Sequence, residues 1–297
     1  MFGTIFHFPW EVSLILFLQS SLPSFVSGFF EIIADVITKN VIALIFISIY
    51  LAYNKEWGKF TLLSLGVASV CCEFVKVTVA RLMPYAVVDK IKCIHTNVPD
   101  LNPLDFKIWG YSLPSGHTMM ATNLFSAIPI YVRNIQYISI GLVGVFIVAL
   151  SRVELSVHFP TDTIAGFIIA LAIILVLSRI YDKIENRTYL YLAICALSLV
   201  GVLFCPEISY IKYVALALGI SLGFLVEEKY VNFENPKSRR DAIVRLVGAV
   251  ILFVLLFVLI PKFAGNTDLV KCIVHSLCTF IMLAIYPLAF KKIDRDG

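Results

Sequence analysis

A chain of 297 residues in which apolar side chains make up 60% and charged ones only 15% has more hydrophobic surface than a water-soluble fold can hide. That balance excludes a disordered chain, a secreted disulfide scaffold and a nucleic-acid-binding module, and a net charge of +4 adds no polyanion partner. The fold class it leaves is all-α: a polytopic helical membrane protein. Its seven cysteines form no Cys-x-x-Cys pair, so neither a zinc site nor a redox motif is expected.

In chain order, the apolar stretch Pro9–Thr38 comes first, broken by Glu11, Gln19, Pro23, Glu31 and Asp35. It reads as an amino-terminal interfacial helical segment and not as a clean span. About nine transmembrane helices follow, centred in Val41–Tyr53, Thr61–Ala80, Met119–Val132, Ile135–Leu150, Ile164–Leu177, Tyr189–Phe204, Tyr213–Val226, Leu246–Ile260 and Leu269–Phe290. Residues 1–182 form one expected domain, the interfacial segment plus five spans; residues 183–297 form a second, of four further spans.

The charges segregate under this arrangement. Lys55, Lys59, Arg133, Arg179, Lys183, Arg187, the Lys229–Arg245 cations and Lys291, Lys292 and Arg295 fall on one side. The positive-inside rule makes that side, and the carboxyl terminus, cytoplasmic. The loop Glu227–Arg240 reads as a solvated connector touching lipid headgroups. Trp10, Trp57 and Trp109 sit near expected interfaces, as belt anchors do.

Three polar clusters share the outer side, each at a helix end. Lys76-x4-Arg81-x2-Pro84 closes the second span, Pro114-Ser115-Gly116-His117 opens the third, and Ser151-Arg152-x5-His158-x3-Asp162 joins the fourth to the fifth. Pro160 suits a first helical turn, which leaves His158 just outside the membrane with Asp162 four residues on. At that spacing a carboxylate can hold one imidazole nitrogen and leave the other basic. Arg152 offers a planar fork for phosphate oxygens. Ser115 and Gly116 enter a helix whose free N–H groups attract anions, and His117 places a proton donor in the same turn. Each residue alone has an ordinary explanation: Lys76 can snorkel, Arg81 can anchor a headgroup, and Glu154 and Ser156 read as solvated or loop-structural. Together, two histidines and several cations with no carboxylate cage favour phosphoryl transfer without a metal.

At these residues the chain resembles the type-2 phosphatidic acid phosphatase superfamily, whose signature is Lys-x6-Arg-Pro, Pro-Ser-Gly-His and Ser-Arg-x5-His-x3-Asp. The second and third parts are complete here, and the Pro-Trp-Glu-Val-Ser-Leu opening looks like bacterial members. The first part departs: Met83 stands where the family has arginine, with Arg81 two residues earlier. In a continuous helix that offset would aim Arg81 ~160–200° away, so it reaches phosphate only if the helix has unwound.

The resemblance implies catalysis by His158 as nucleophile, Asp162 as its partner and His117 as acid. It implies phosphate binding by Lys76, Arg81, Ser115, Gly116 and Arg152, and no cofactor. The implied partners are membrane lipids and a lipid phosphate or diphosphate substrate, worked on at the outer face of a bacterial plasma membrane. Alternatives are a phosphatase for a soluble sugar phosphate, a phosphotransferase, and a catalytically weak protein that binds or transports lipid phosphates.

Overall fold

The structure, a computed structural model, describes residues 3–37, 39–94, 110–132, 136–263, 265 and 267–293. Trp109, Arg133 and Arg295 lie outside the described residues. Every regular element among those described is helical, apart from an isolated bridge between Thr4 and Arg81.

Proline and glycine set the breaks. Helix α1 (Pro9–Ser21) starts with proline at its first position, and α2 (Ser24–Val36) follows Pro23; the two are bent by 116°. Next come α3 (Lys39–Ala52), α4 (Lys55–Val79) and the single turn α5 (Pro84–Val87). Helices α6 (Gly116–Val132), α7 (Gln136–Glu154) and α8 (Pro160–Lys183) carry the two intact motifs. The carboxyl-terminal part holds α9 (Thr188–Phe204), α10 (Ile208–Val231), α11 (Arg239–Phe263) and α12 (Asp268–Phe290).

Six helices, α4, α7, α8, α10, α11 and α12, are long and apolar enough to cross a membrane, or seven if the bent α1–α2 pair counts as one span. The other three expected spans form α3, α6 and α9, with 14, 17 and 17 residues. Those lengths fall short of the ~20 residues that cover the hydrocarbon core.

The chain folds as two compact units, residues 1–41 with 71–175 and residues 42–70 with 176–297. This packing division does not coincide with a cut at residue 182, because α4 and α8 each contribute to both units. In the first unit, α6 and α2 pack on α7. Ile15 and Leu18 of α1 bury with Ile91, Val153 and Phe159, which brings the amino-terminal segment onto the loop that carries His158. In the second, α10 lies against α9 and α12. A side chain at Gly219 would meet the Ser276 carbonyl oxygen at 2.6 Å, the close backbone approach that small residues permit between membrane helices.

Two polar loops are partly buried. The segment from Glu227 is solvated only in part: Glu227, Val231 and Phe233 are buried, whereas Lys229, Tyr230, Asn232, Glu234, Asn235 and residues 237–240 are exposed. Glu227 takes Lys55 at 2.8 Å and Lys59 at 2.7 Å, because a π-helical turn at Glu227–Val231 carries the carboxylate inward. Glu154 and Ser156 are buried too, which excludes the solvated reading and leaves the loop-structural one. Ser27 donates to Glu154 at 2.6 Å, and Gln19 donates to Ser156, so α1 and α2 cover this loop.

Candidate active site

All eight sequence-derived site residues belong to the first unit. The geometry is clearest around His158, which sits between α7 and α8 and is 4% exposed. Its Nδ1 lies 2.7 Å from the Ser112 carbonyl oxygen. A carbonyl only accepts, so Nδ1 carries the hydrogen and Nε2 keeps its lone pair. Asp162 Oδ2 stands 3.8 Å from Nδ1, too far for a hydrogen bond and close enough for electrostatics. Burial first, then repulsion from Lys76 and Arg152, outweighs the pull of Asp162 and pushes His158 down to about 4. The imidazole is therefore neutral at physiological pH, as a nucleophile must be.

Asp162 is fully buried and does three jobs within the first turn of α8. Oδ2 accepts the Phe159 N–H at 2.7 Å, Oδ1 accepts Arg81 Nη1 at 2.6 Å, and the main-chain carbonyl accepts the Ser115 N–H at 2.9 Å. The last bond ties the Pro-Ser-Gly-His turn to the His158 helix. Gly166, one turn further along α8, keeps that approach open; a side chain there would meet the Ser115 carbonyl oxygen at 2.7 Å.

Ser115 is buried, and its hydroxyl takes the Thr118 hydroxyl at 3.0 Å. Gly116 begins α6 and His117 follows it, half-buried. Lys76, in the last turn of α4, donates to the Tyr111 carbonyl. Arg152 is 4% exposed, yet its Nε and Nη1 have no hydrogen-bond partner among the described residues. A buried guanidinium with idle donors is costly unless an anion completes it.

Arg81 behaves differently. Helix α4 stops at Val79 and Ala80 adopts a left-handed φ of 53°, so the chain does unwind ahead of Pro84. The freed segment pairs with the amino terminus: Thr4 N–H donates to the Ala80 carbonyl at 2.7 Å, and Leu82 N–H to that of Thr4 at 3.1 Å. The Arg81 side chain is 1% exposed. It bonds the Phe6 carbonyl, Thr161, Asp162 and Glu11. Its guanidinium carbon lies 4.5 Å from the centre of the Phe6 ring and 4.1 Å from that of Phe159.

Glu11, Thr161 and Ser112 are members of this network that motif reasoning missed. Glu11 is fully buried. Its Oε2 takes the Phe8 N–H and Arg81 at 2.8 Å each, and its Oε1 takes the N–H and hydroxyl of Thr161. A carboxylate within the apolar run of α1 was the available signal. Ser112 is gripped at both ends, its N–H on the Arg81 carbonyl at 2.8 Å and its hydroxyl on that of Leu82 at 3.1 Å.

An all-helical, strongly apolar protein with a neutral buried histidine, an idle guanidinium and a helix amino terminus at one site is built like a membrane-embedded enzyme of phosphate chemistry. Comparison with known proteins agrees. The PAP2 superfamily profile matches residues 57–186, and that of the PAP2 superfamily phosphatase transmembrane extension matches residues 211–295. The chain thus carries a PAP2 superfamily domain followed by the transmembrane extension of PAP2 superfamily phosphatases. It is similar to phosphatidylglycerophosphatase B of Bacillus subtilis, at 27% identity over 45% of this chain and 63% of that protein. It is also similar to an undecaprenyl-diphosphatase of Sulfolobus acidocaldarius, at 29% identity over 39% of this chain and 51% of that protein. The chain thus spans less than two thirds of either relative. No solved structure matches it.

Proposed function

We propose that this protein is an integral membrane phosphatase that removes phosphate from a lipid-linked phosphate or diphosphate at the outer face of the membrane. The observation that carries this reading is the buried Arg152 guanidinium, with two unpartnered nitrogens, acting electrostatically on a histidine whose Nδ1 is held by a carbonyl. In the proposed reaction the Nε2 lone pair of His158 attacks phosphorus as the ester or anhydride P–O bond breaks. His117 gives its proton to the departing oxygen. Water then attacks the phosphohistidine and loses a proton to His117, and the N–P electron pair returns to Nε2. Arg152, Lys76, the Ser115 hydroxyl and the Gly116 amide neutralise the equatorial oxygens.

A site at the helix ends suits a substrate whose tail stays in the bilayer. The printed activities of the two relatives, on phosphatidylglycerophosphate and undecaprenyl diphosphate, support a lipid substrate; the amino-terminal opening tilts the choice towards an isoprenoid diphosphate. The asymmetry of Lys and Arg supports a cytoplasmic carboxyl terminus and about nine spans, with α3, α6 and α9 crossing as short helices.

The test is phosphate release by detergent-purified protein from phosphatidic acid, phosphatidylglycerophosphate, polyprenyl diphosphate and glucose 6-phosphate, with EDTA present. Release is expected from lipid substrates and is abolished in His158→Ala. Activity that survives in folded His158→Ala sinks the mechanism, and a preference for glucose 6-phosphate sinks the lipid assignment.

A further inference from the structure

We infer that Arg81 is a positioning residue and not a phosphate ligand, and that Glu11 of the amino-terminal helix completes a buried charge chain, Glu11–Arg81–Asp162, that supports His158. The inference rests on the phosphatase reading above. Of the five N–H groups of a guanidinium, Arg81 commits four. Nε donates to Phe6 at 3.0 Å, Nη1 to Thr161 at 2.7 Å and to Asp162 at 2.6 Å, and Nη2 to Glu11 at 2.8 Å. The aromatic rings of Phe6 and Phe159 flank the guanidinium. No bidentate fork remains to grip a phosphate.

The charge balance says what the chain is for. Two carboxylates face one guanidinium, with all three side chains 0–1% exposed. One negative charge is left over, and it lies on the histidine side, with Asp162 Oδ2 3.8 Å from Nδ1. A neutral His158 does not need that charge. The ring becomes cationic when Nε2 bonds to phosphorus, and the surplus then stabilises the phosphoenzyme and the transition state leading to it. The same segment fixes the ring's tautomer, because the Arg81 and Leu82 carbonyls hold Ser112, whose own carbonyl takes Nδ1–H. Glu11 therefore acts on the reaction through Arg81 and Asp162 while touching neither substrate nor His158.

Two variants separate this role from phosphate binding. Glu11→Gln keeps the shape of the side chain and cancels the surplus charge. Its kcat is expected to fall at least about tenfold with KM within about twofold of wild type. Glu11→Gln/Arg81→Gln removes both members of the outer pair and restores the surplus on Asp162, so kcat is expected to recover several-fold over the single variant. Inorganic phosphate binding, measured by calorimetry without turnover, is expected to stay within about twofold in both. A double variant slower than Glu11→Gln, with phosphate binding weakened tenfold or more, would show Arg81 on the phosphate and overturn the inference. Unchanged kcat in Glu11→Gln overturns it as well. Should the single variant misfold, the double variant, in which Arg81 leaves together with its Glu11 partner, is judged on phosphate binding and kcat against wild type. A wild-type protein inert towards every substrate overturns this inference and the phosphatase reading together.

Discussion

The two compact units both bury charge, and they do so to opposite ends. In the unit of residues 42–70 and 176–297, Lys55 and Lys59 converge on Glu227, with Glu228 taking Lys59 at 3.0 Å and the Tyr191 hydroxyl at 2.7 Å. Lys55 also finds Asn232 and the Phe233 carbonyl, at 3.0 and 2.9 Å. These cations are spent on their neighbours. In the other unit Arg81 is spent in the same way, but Arg152 is not. Desolvating a charge is tolerable when its partners are built in, and a guanidinium left idle in a buried place marks where a ligand supplies the missing bonds.

If that contrast is right, the two clusters fail differently when cut. Lys59→Met leaves Glu227 with one of its two cations and is expected to cost ~3–5 kcal/mol of stability, read as an earlier midpoint in detergent thermal unfolding. Activity per folded molecule should stay within about twofold. Lys55→Met/Lys59→Met/Glu227→Leu should regain much of the loss, since apolar side chains of similar volume often replace a whole buried ionic triad without penalty. A Lys59→Met protein that unfolds normally but has lost its activity would break the comparison.

Arg152→Met is the converse experiment. It removes a charge with idle donors, so the folded protein should unfold at or above the wild-type midpoint. Turnover should fall ~10²–10³-fold, or ~2.7–4 kcal/mol, the size measured for one transition-state donor elsewhere. A stability loss without that drop in kcat would place Arg152 among the structural cations.

How much of this was legible in the sequence follows from how local each signal is. His158, Asp162, Ser115 and Arg152 announce themselves because their spacing lies within one turn or one loop. The direction of Arg81 depended on a single dihedral, that of Ala80, which residue type does not encode. Glu11 reads only as a polar break in the apolar stretch, because its ion-pair partner is 70 residues away. Ser112 contributes a main-chain carbonyl, which carries no residue-type signature. Lys55 and Lys59 looked like loop charges because their partners sit on a π-helical turn far along the chain, 169 residues separating Lys59 from Glu228. Hydropathy marks where helices lie, and it cannot distinguish a solvated helix end from one folded over its own counter-ions.

The smallest effect concerns protonation. With Nδ1–H on the Ser112 carbonyl, ¹⁵N imidazole spectra should show His158 as the Nδ1-protonated tautomer, assigned by loss of its signals in His158→Gln. An ordinary imidazole takes up its proton near 6.5, whereas burial holds this one down to about 4. At pH 5.5 the ring should still be almost wholly neutral, and its titration midpoint should lie near 4. The unfolded chain takes up the proton first, so this group's contribution to stability is full above 6.5 and is lost as the pH falls through about 4. The direction also bears on the charge chain: Glu11→Gln removes negative charge from the vicinity of the ring and should move the midpoint lower still. An Nε2-protonated ring would mean that Ser112 does not hold His158 and that Nε2 has no lone pair to offer phosphorus, whereas a midpoint at 6.5 would mean that burial and the nearby cations do not govern this ring.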